Sequence, residues 1–555
     1  MKVLSRFAGF LAVHWPVLAL VAVLTLSAII ISPKKPFWND ELFSWYFMTA
    51  DFGTLWRGYN DALNNTPFFY FGLGWLWVQV FGGSELSLRL FSSLGLSLAA
   101  LALWPLLRRV HGFWPATFAL LGTFCTSVLV LEQNAEARMY GLFLALVVLA
   151  VVLYDRLVRA GRPAPTLLVL NVLVHAAIVQ THLFGPFYSG TIAAAFLASR
   201  LSEPGTGWRR LLAPWPVHLS FVIAWLSFLL YLPAFQAQAE AGRPYSWIPQ
   251  PTLGDLAVLL SNASGALLRP EIFVLVVGAA ALLWLLMPAH DRAATGPGPL
   301  RLDDRHLLLL ALALLALPVV IWLASHLGRP IFFDRYLMPS LLGWAVLIAH
   351  AAARLLPDPA PSGQRLRLAR GLVLGLPALA LLAYPVLDAR AYSGRSVPGS
   401  IEPWPEYSHL PVVMQGGGLL EYVHYAPDPA RYHFILDWEA TNRPESGRFG
   451  IQEHRHMEAW QRVFPEVFGS RIVESEPFLA RHDVFLVSTI EEYESACSPN
   501  IRGLRHVRNW TGLHCPQWVA RRILPDPAFE VTEISSGGGY ALLHVRRKAT
   551  PSHAP

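Results

Sequence analysis

The chain has 555 residues, of which 54% are hydrophobic and 14% charged, whereas an ordinary soluble domain carries roughly 25% charge. That balance excludes a wholly soluble protein. The net charge of +6 would suggest a polyanion partner in a soluble domain, but here the arginines cluster in short loops between apolar runs, so they report membrane topology rather than nucleic acid.

Apolar runs of about 16 to 23 residues recur along the chain, the length that a 1.5 Å rise per residue needs to cross roughly 30 Å of hydrocarbon. The first, 10–31, lacks a small-residue exit site and reads as a retained span rather than a cleaved signal. Further spans are expected at 86–107, 113–131, 139–154, 166–183, 184–199, 215–235, 271–287, 307–325, 336–353 and 371–387, giving about eleven in all. Alternate loops hold Lys2 and Arg6; Arg108 and Arg109; Arg156, Arg159 and Arg162; Arg200, Arg209 and Arg210; Arg292, Arg301 and Arg305; and Arg354, Arg365, Arg367 and Arg370. The positive-inside rule makes these loops cytoplasmic, puts the N-terminus inside and leaves the tail outside. Loop 32–84 is long, and its aromatic stretch Thr66–Phe81 is expected to lie at the interface, since counting it as a span would invert every later loop.

Beyond about residue 390 the pattern changes to short apolar runs between polar segments. Strands are expected at 411–415, 433–437 and 483–488, with a hairpin over 529–545 around Gly537-Gly538-Gly539. The fold class is therefore an α-helical polytopic membrane domain, 1–389, followed by a C-terminal α/β extracytoplasmic domain, 390–555. Cys125 falls in an apolar run and reads as a core residue. Cys497 and Cys515 lie in the polar tail, where an oxidising compartment would permit a disulfide.

Three clusters carry chemical potential. Trp38-Asn39-Asp40-Glu41 sets two carboxylates just beyond the first span, either as the first turn of a helix or as a general base at the membrane surface. Glu132 to Tyr140 brings Glu136, Arg138 and Tyr140 to the same membrane depth, where the alternative is interfacial anchoring. Phe333-Asp334-Arg335-Tyr336 opens the tenth span, and Arg335 either grips a phosphate or pairs with Asp334. The strand, Gly416-Gly417-Gly418 and helix that end near Asp437 imitate a dinucleotide-binding unit, but Glu421 stands where the third glycine belongs. A tight helix entry is the preferred reading.

The order Trp38-Asn39-Asp40-Glu41, Asn65-Thr66-Pro67-Phe68-Phe69-Tyr70, Phe81 to Leu90 with Arg89, Arg108-Arg109 and Glu136-Ala137-Arg138-Met139-Tyr140 closely resembles the C-type membrane glycosyltransferases. Within them it is similar to the bacterial branch related to the protein O-mannosyltransferases and the lipid A aminoarabinose transferase. The match is dense over 38–155 and thinner through Tyr245 to Pro249 and Phe333 to Pro339.

The resemblance implies an inverting transfer of a hexosyl or pentosyl group from a polyprenyl-phosphate donor to a glycan, lipid or protein acceptor at the outer face of a bacterial inner membrane. It makes Asp40 the base, Glu41 its partner and Glu136 a second acidic position. Arg138 and Arg335, with Tyr140 and Tyr336, would bind the donor phosphate, and Trp247 and Tyr70 would line the substrate pocket. Some relatives use a divalent metal ion, which His182 would join with Glu41 or Glu136; a satisfied interfacial histidine is the other reading. A transporter or flippase of lipid-linked saccharides is the competing class. Such proteins commonly carry repeats and mid-membrane polar breaks, and the sequence shows polar residues gathered at one face instead.

Overall fold

A computed structural model describes residues 2–61, 63, 66–202, 213–241, 248–265, 302–355, 364–394, 405–442, 447–490, 518–537 and 540–548. The expected span at 271–287, Trp247, Cys497 and Cys515 lie outside the described residues. In chain order the longer helices are α1 Lys2–Ile31, α2 Asn39–Thr49, α3 Phe52–Asn60, α4 Phe68–Phe81, α5 Glu85–His111, α6 Phe113–Phe124, α7 Val128–Asn134, α8 Tyr140–Arg159, α9 Pro165–Val179, α10 Gly185–Leu201, α11 Trp215–Leu226, α12 Leu232–Ala241, α13 Leu253–Ser264, α14 Leu302–Leu327, α15 Leu341–Leu355, α16 Gln364–Ala391, α17 Gly416–Tyr425 and α18 Gly447–Val463. Two compact units emerge, the first comprising 1–34, 66–231 and 250–394, the second 35–65, 232–249 and 395–555. The segments 35–65 and 232–249 thus pack with the tail rather than with the helices that flank them in sequence.

In the first unit, α1, α5, α8, α14, α15 with the 3-10 turn before it, and α16 are each long and apolar enough to cross a membrane, six among the described residues and up to eight if two broken pairs count as spans. Their outward faces are greasy: Leu98, Val320, Leu323, Leu372 and Leu376 are all exposed. In water such a surface would be an aggregation hazard, so the chain is a multi-pass membrane protein.

The expected span 113–131 is not one straight helix. It breaks by 64° between α6 and α7. Thr123 Oγ1 donates to the Ala119 carbonyl (2.7 Å) and Thr126 Oγ1 to the Gly122 carbonyl, so hydroxyls engage carbonyls one turn back where the helix bends. Span 215–235 is likewise interrupted, with a new helix opening at Leu232 and Pro233 in its first turn, a position where the missing N–H costs nothing. The aromatic stretch after Thr66 does form a helix, α4, of 14 residues. Between α5 and α6 the chain turns at Gly112, whose φ of 89° lies in the left-handed region that glycine tolerates best.

The tightest helix contact is between α5 and α8. A Cβ on Gly95 would stand 2.3 Å from the Gly141 carbonyl carbon, and one on Gly141 would stand 2.1 Å from the Ser92 carbonyl oxygen. Backbones approach this closely only where side chains are missing, as in the small-residue interfaces of membrane helices. At the opposite end of the same helices a buried carboxylate, Asp155 of α8, binds Arg109 of α5, Arg159 one turn on (2.9 Å) and His306 Nε2 of α14 (2.9 Å). A charge held in a bundle interior needs such partners.

The second unit is built on a six-stranded sheet of β1 Val412–Val413, β2 Tyr432–Leu436, β3 Ile472–Glu474, β4 Val484–Ile490, β5 Phe529–Gly537 and β6 Tyr540–Arg547, ordered β3-β2-β1-β4-β6-β5. The first four are parallel, and β6 and β5 add an antiparallel hairpin. Strands appear at all the expected runs; β3 is additional. One face of the sheet buries Val413, Ile435, Phe485, Val487, Leu543 and Val545 against Phe478, Trp518 and Ile523. Helix α2 packs in this unit through Phe43 and Tyr46, whose rings lie 4.8 and 5.2 Å from that of the buried Trp460 on α18.

Replacing Gly141 by alanine is expected to destabilise the bundle by about 1–3 kcal/mol, because a methyl group meets backbone that cannot rotate away. Gly190→Ala, where a Cβ meets nothing within 4 Å, should leave the thermal midpoint of the detergent-purified protein unchanged. Equal midpoints for the two variants would remove the close approach as a stabilising contact.

Candidate functional site

Each unit holds one cluster of the residues singled out above. In the first unit, the segment between α7 and α8 is fixed from three sides. Asn134 Nδ2 donates to the Leu24 carbonyl and to Ser27 Oγ of α1, both at 2.8 Å. Ser93 Oγ donates to Asn134 Oδ1 (2.8 Å), and Ser92 Oγ to the Arg138 carbonyl (2.8 Å). Glu136 is half-buried in this segment, while Arg138 and Tyr140 are buried.

Around it stands a box of rings. His182, in the turn between α9 and α10, is buried, and its Nδ1 accepts the Phe184 N–H at 3.0 Å. Its ring lies 5.6 Å from Tyr140, 5.1 Å from Phe143 and 5.0 Å from Tyr336. Tyr140 and Tyr336 stack at 6.3 Å. The Arg335 guanidinium sits over the Phe333 ring at 4.8 Å and faces Tyr140 at 6.0 Å, contacts in which a delocalised cation is held by ring faces. The carboxylate of Asp334 accepts the Arg335 backbone N–H at 2.7 Å. Both Arg138 and Arg335 lie within electrostatic reach of the His182 ring. Two guanidiniums thus stand beside one cluster of rings, and guanidinium geometry suits a phosphate.

The structure assembles no metal cluster at His182 from the described residues. Among the described residues no three His, Cys, Asp or Glu side chains gather closely enough to hold one, and the His182 ring meets aromatic faces and two positive charges rather than carboxylates. A ligating histidine needs anionic or neutral co-ligands around it. Tyr70 is buried, with its ring packed on Phe71 (5.4 Å) and Phe91 (5.7 Å), so its surface is taken up by core contacts.

The second unit holds the acidic pair. Asp40 and Glu41 occupy the first turn of α2, where a negative charge opposes the helix dipole favourably. Glu41 is fully buried, and its Oε2 accepts the Trp38 N–H at 3.4 Å, closing that turn. It therefore serves the helix start. Asp40, by contrast, is half-buried.

Beside this turn lie residues that the sequence reading did not select. Glu453 of α18 accepts the Gly416 N–H at 2.8 Å, placing a carboxylate at the N-terminus of α17. A Cβ on Gly417 would stand 3.3 Å from Asn39 Nδ2. The β1-α17-β2 unit thus fills the place of a phosphate with its own carboxylate. One turn along α18, the ring of His456 stacks on Phe43 at 4.9 Å with planes 13° apart, and its Nε2 donates to the Leu63 carbonyl at 3.2 Å. The clue lay in the run Glu453-His454-Arg455-His456 ahead of Trp460, where Glu453, His456 and Trp460 recur at helical spacing.

The whole chain can be compared with known structures. ArnT from Cupriavidus metallidurans bound to undecaprenyl phosphate matches at 13% identity with a TM-score of 0.52, over 96% of this chain and 98% of that one. Its apo structure matches at 13% identity with a TM-score of 0.53 over the same shares. An apo oligosaccharyltransferase from Archaeoglobus fulgidus matches at 12% identity over 87% of this chain and 70% of that one, with a TM-score of 0.41. The fold is therefore that of ArnT. No protein-family model matches the sequence, and no curated protein does.

The buried surroundings of Glu453 push its carboxyl up from 4.5 to about 7. Its contribution to stability is therefore fully present below about pH 4.5 and is lost as the pH rises through about 7. Glu453→Gln keeps an acceptor for the Gly416 N–H and cannot ionise. Its thermal midpoint is expected to exceed that of the wild type at pH 8 and to meet it near pH 5; a constant difference across that range would show that Glu453 does not titrate there.

Proposed function

We propose that this protein transfers a sugar from a polyprenyl-phosphate-linked donor to an acceptor at the outer face of the membrane. The observation that carries the reading is the fold match along 96% of this chain to a transferase solved with undecaprenyl phosphate. The Arg138 and Arg335 cluster supports it from this chain's own residues, because a departing phosphate needs positive charge that is already in place. In this reading the chain crosses the membrane about eleven times, with its N-terminus inside and its tail outside.

The reaction is one displacement. The acceptor oxygen forms a bond to the anomeric carbon while the bond from that carbon to the phosphate oxygen breaks, so the configuration inverts. Asp40 takes the acceptor proton as general base. Arg138 and Arg335 stabilise the charge gathering on the lipid phosphate, and Tyr140 and Tyr336 orient it with their hydroxyls. Glu136 is the second acid, serving sugar hydroxyls. Glu41 acts indirectly, by fixing the turn that carries Asp40. The donor chemistry explains why a nucleotide fold is dispensable, since the leaving group is anchored in the bilayer already.

The test is a transfer assay on the purified protein with a panel of undecaprenyl-phosphate hexoses and pentoses. Asp40→Asn is expected to lower kcat by at least ~100-fold while the protein stays monodisperse in detergent. Arg138→Ala and Arg335→Ala should each weaken binding of undecaprenyl phosphate itself. Wild-type turnover that survives in Asp40→Asn removes the base assignment, and undecaprenyl phosphate binding unaffected in both arginine variants removes the phosphate site.

A further inference from the structure

We infer that His456 is a positioning residue for Asp40, holding the segment 39–63 at both of its ends. The inference rests on the functional reading above for the role of Asp40, but its geometry stands by itself. Asp40 and Phe43 are three residues apart on α2 and so share a face. The His456 imidazole lies flat on Phe43 at 4.9 Å, and its Nε2 reaches the Leu63 carbonyl at 3.2 Å, just beyond α3. One ring therefore grips the start and the finish of the segment that carries the acidic pair.

The hydrogen bond fixes the tautomer. A carbonyl oxygen only accepts, so Nε2 carries the proton and the neutral ring keeps its lone pair on Nδ1. The neighbourhood agrees. Burial lowers the His456 imidazole to about 4, while the Leu63 carbonyl and the Asp40 carboxylate act in the opposite sense. His456 is thus neutral at working pH and senses the charge of Asp40. Helix α18 is itself anchored on either side of His456, by Glu453 on the Gly416 N–H and by Trp460 against Phe43 and Tyr46, so the ring has little freedom to shift.

Three substitutions separate the parts of this role. His456→Phe keeps the stack on Phe43 and loses the hydrogen bond; His456→Ala loses both; His456→Gln supplies a side-chain N–H that can again reach Leu63. With whichever undecaprenyl-phosphate sugar the wild type turns over, kcat is expected to fall about tenfold in His456→Phe and further in His456→Ala, each tenfold being about 1.4 kcal/mol. The KM for donor should stay within about twofold, and His456→Gln should recover most of the rate. A fall in rate with an equal rise in KM, or a Gln variant as slow as the Ala variant, overturns the positioning role.

A second measurement does not depend on turnover. In the full-length protein with labelled histidine, the NMR titration of His456 should move to lower pH in Asp40→Asn, since a carboxylate that favours the imidazolium has gone. An unchanged His456 titration overturns the coupling. If the wild type turns over none of the panel, the functional reading fails, and the titration alone still decides whether His456 and Asp40 act together.

Discussion

The contact between α5 and α8 governs the first unit. Gly141 lies against the Ser92 carbonyl oxygen, and the Ser92 hydroxyl holds the Arg138 carbonyl. One residue thus provides both the floor on which α8 begins and the tether of the segment before it. Lipid gives no hydrophobic drive for apolar helices to associate, so close backbone packing and buried hydrogen bonds set their register. Moving α8 outward by the width of a methyl group would displace Arg138 and Tyr140 together, and with them the walls around His182.

Buried polar groups in this unit are handled in two ways. Arg89 is fully enclosed, donating to the Ser32 carbonyl at 2.9 Å and facing Glu85 at 3.7 Å, and Asp155 is surrounded by two arginines and a histidine. These are structural ties between helices, each charge answered by a nearby partner. The cluster at Tyr140 and His182 adds rings to such charges: Tyr140, His182 and Tyr336 pack on one another, Arg138 and Arg335 lie near the His182 ring, and Asp334 accepts the Arg335 backbone N–H.

Much of this was legible in the sequence because a membrane imposes a long and simple signal. Apolar length located α1, α5, α8, α14 and α16, although these helices run several residues past the expected ends, and short apolar runs between polar segments located β1, β2, β4 and the hairpin. The break between α6 and α7 was not legible, since hydropathy averages across Cys125 to Ser127 and threonine back-bonding leaves no trace in it. Cluster membership was partly legible: Arg138, Tyr140, Arg335 and Tyr336 share membrane depth, and depth follows from span ends. Phe143, Phe184 and Phe333 look like any apolar residue of a span until the rings are seen to converge. Glu453 and His456 escaped for another reason. They lie more than four hundred residues from the start of the acidic segment they adjoin, and nothing in one sequence registers a contact at that separation.

The second unit shows how a familiar motif can be turned to another use. A strand, three glycines, a helix and a parallel strand form β1, α17 and β2, the arrangement that elsewhere aims a helix N-terminus at a ligand phosphate. Here the same N–H of Gly416 meets Glu453 at 2.8 Å. Asn39 lies close over Gly417. A side chain of the protein is already satisfying that helix end, so a nucleotide phosphate would have to displace a carboxylate and leave it without its donor. Gly417 instead serves a different close approach, that of the turn beginning at Asn39. The Tyr425 hydroxyl at the far end of α17 completes the grip by accepting the Phe37 N–H at 2.6 Å. The βαβ unit therefore acts as a clamp for residues 37–41, and the precision with which Asp40 is held is set by a helix whose sequence first suggests a nucleotide.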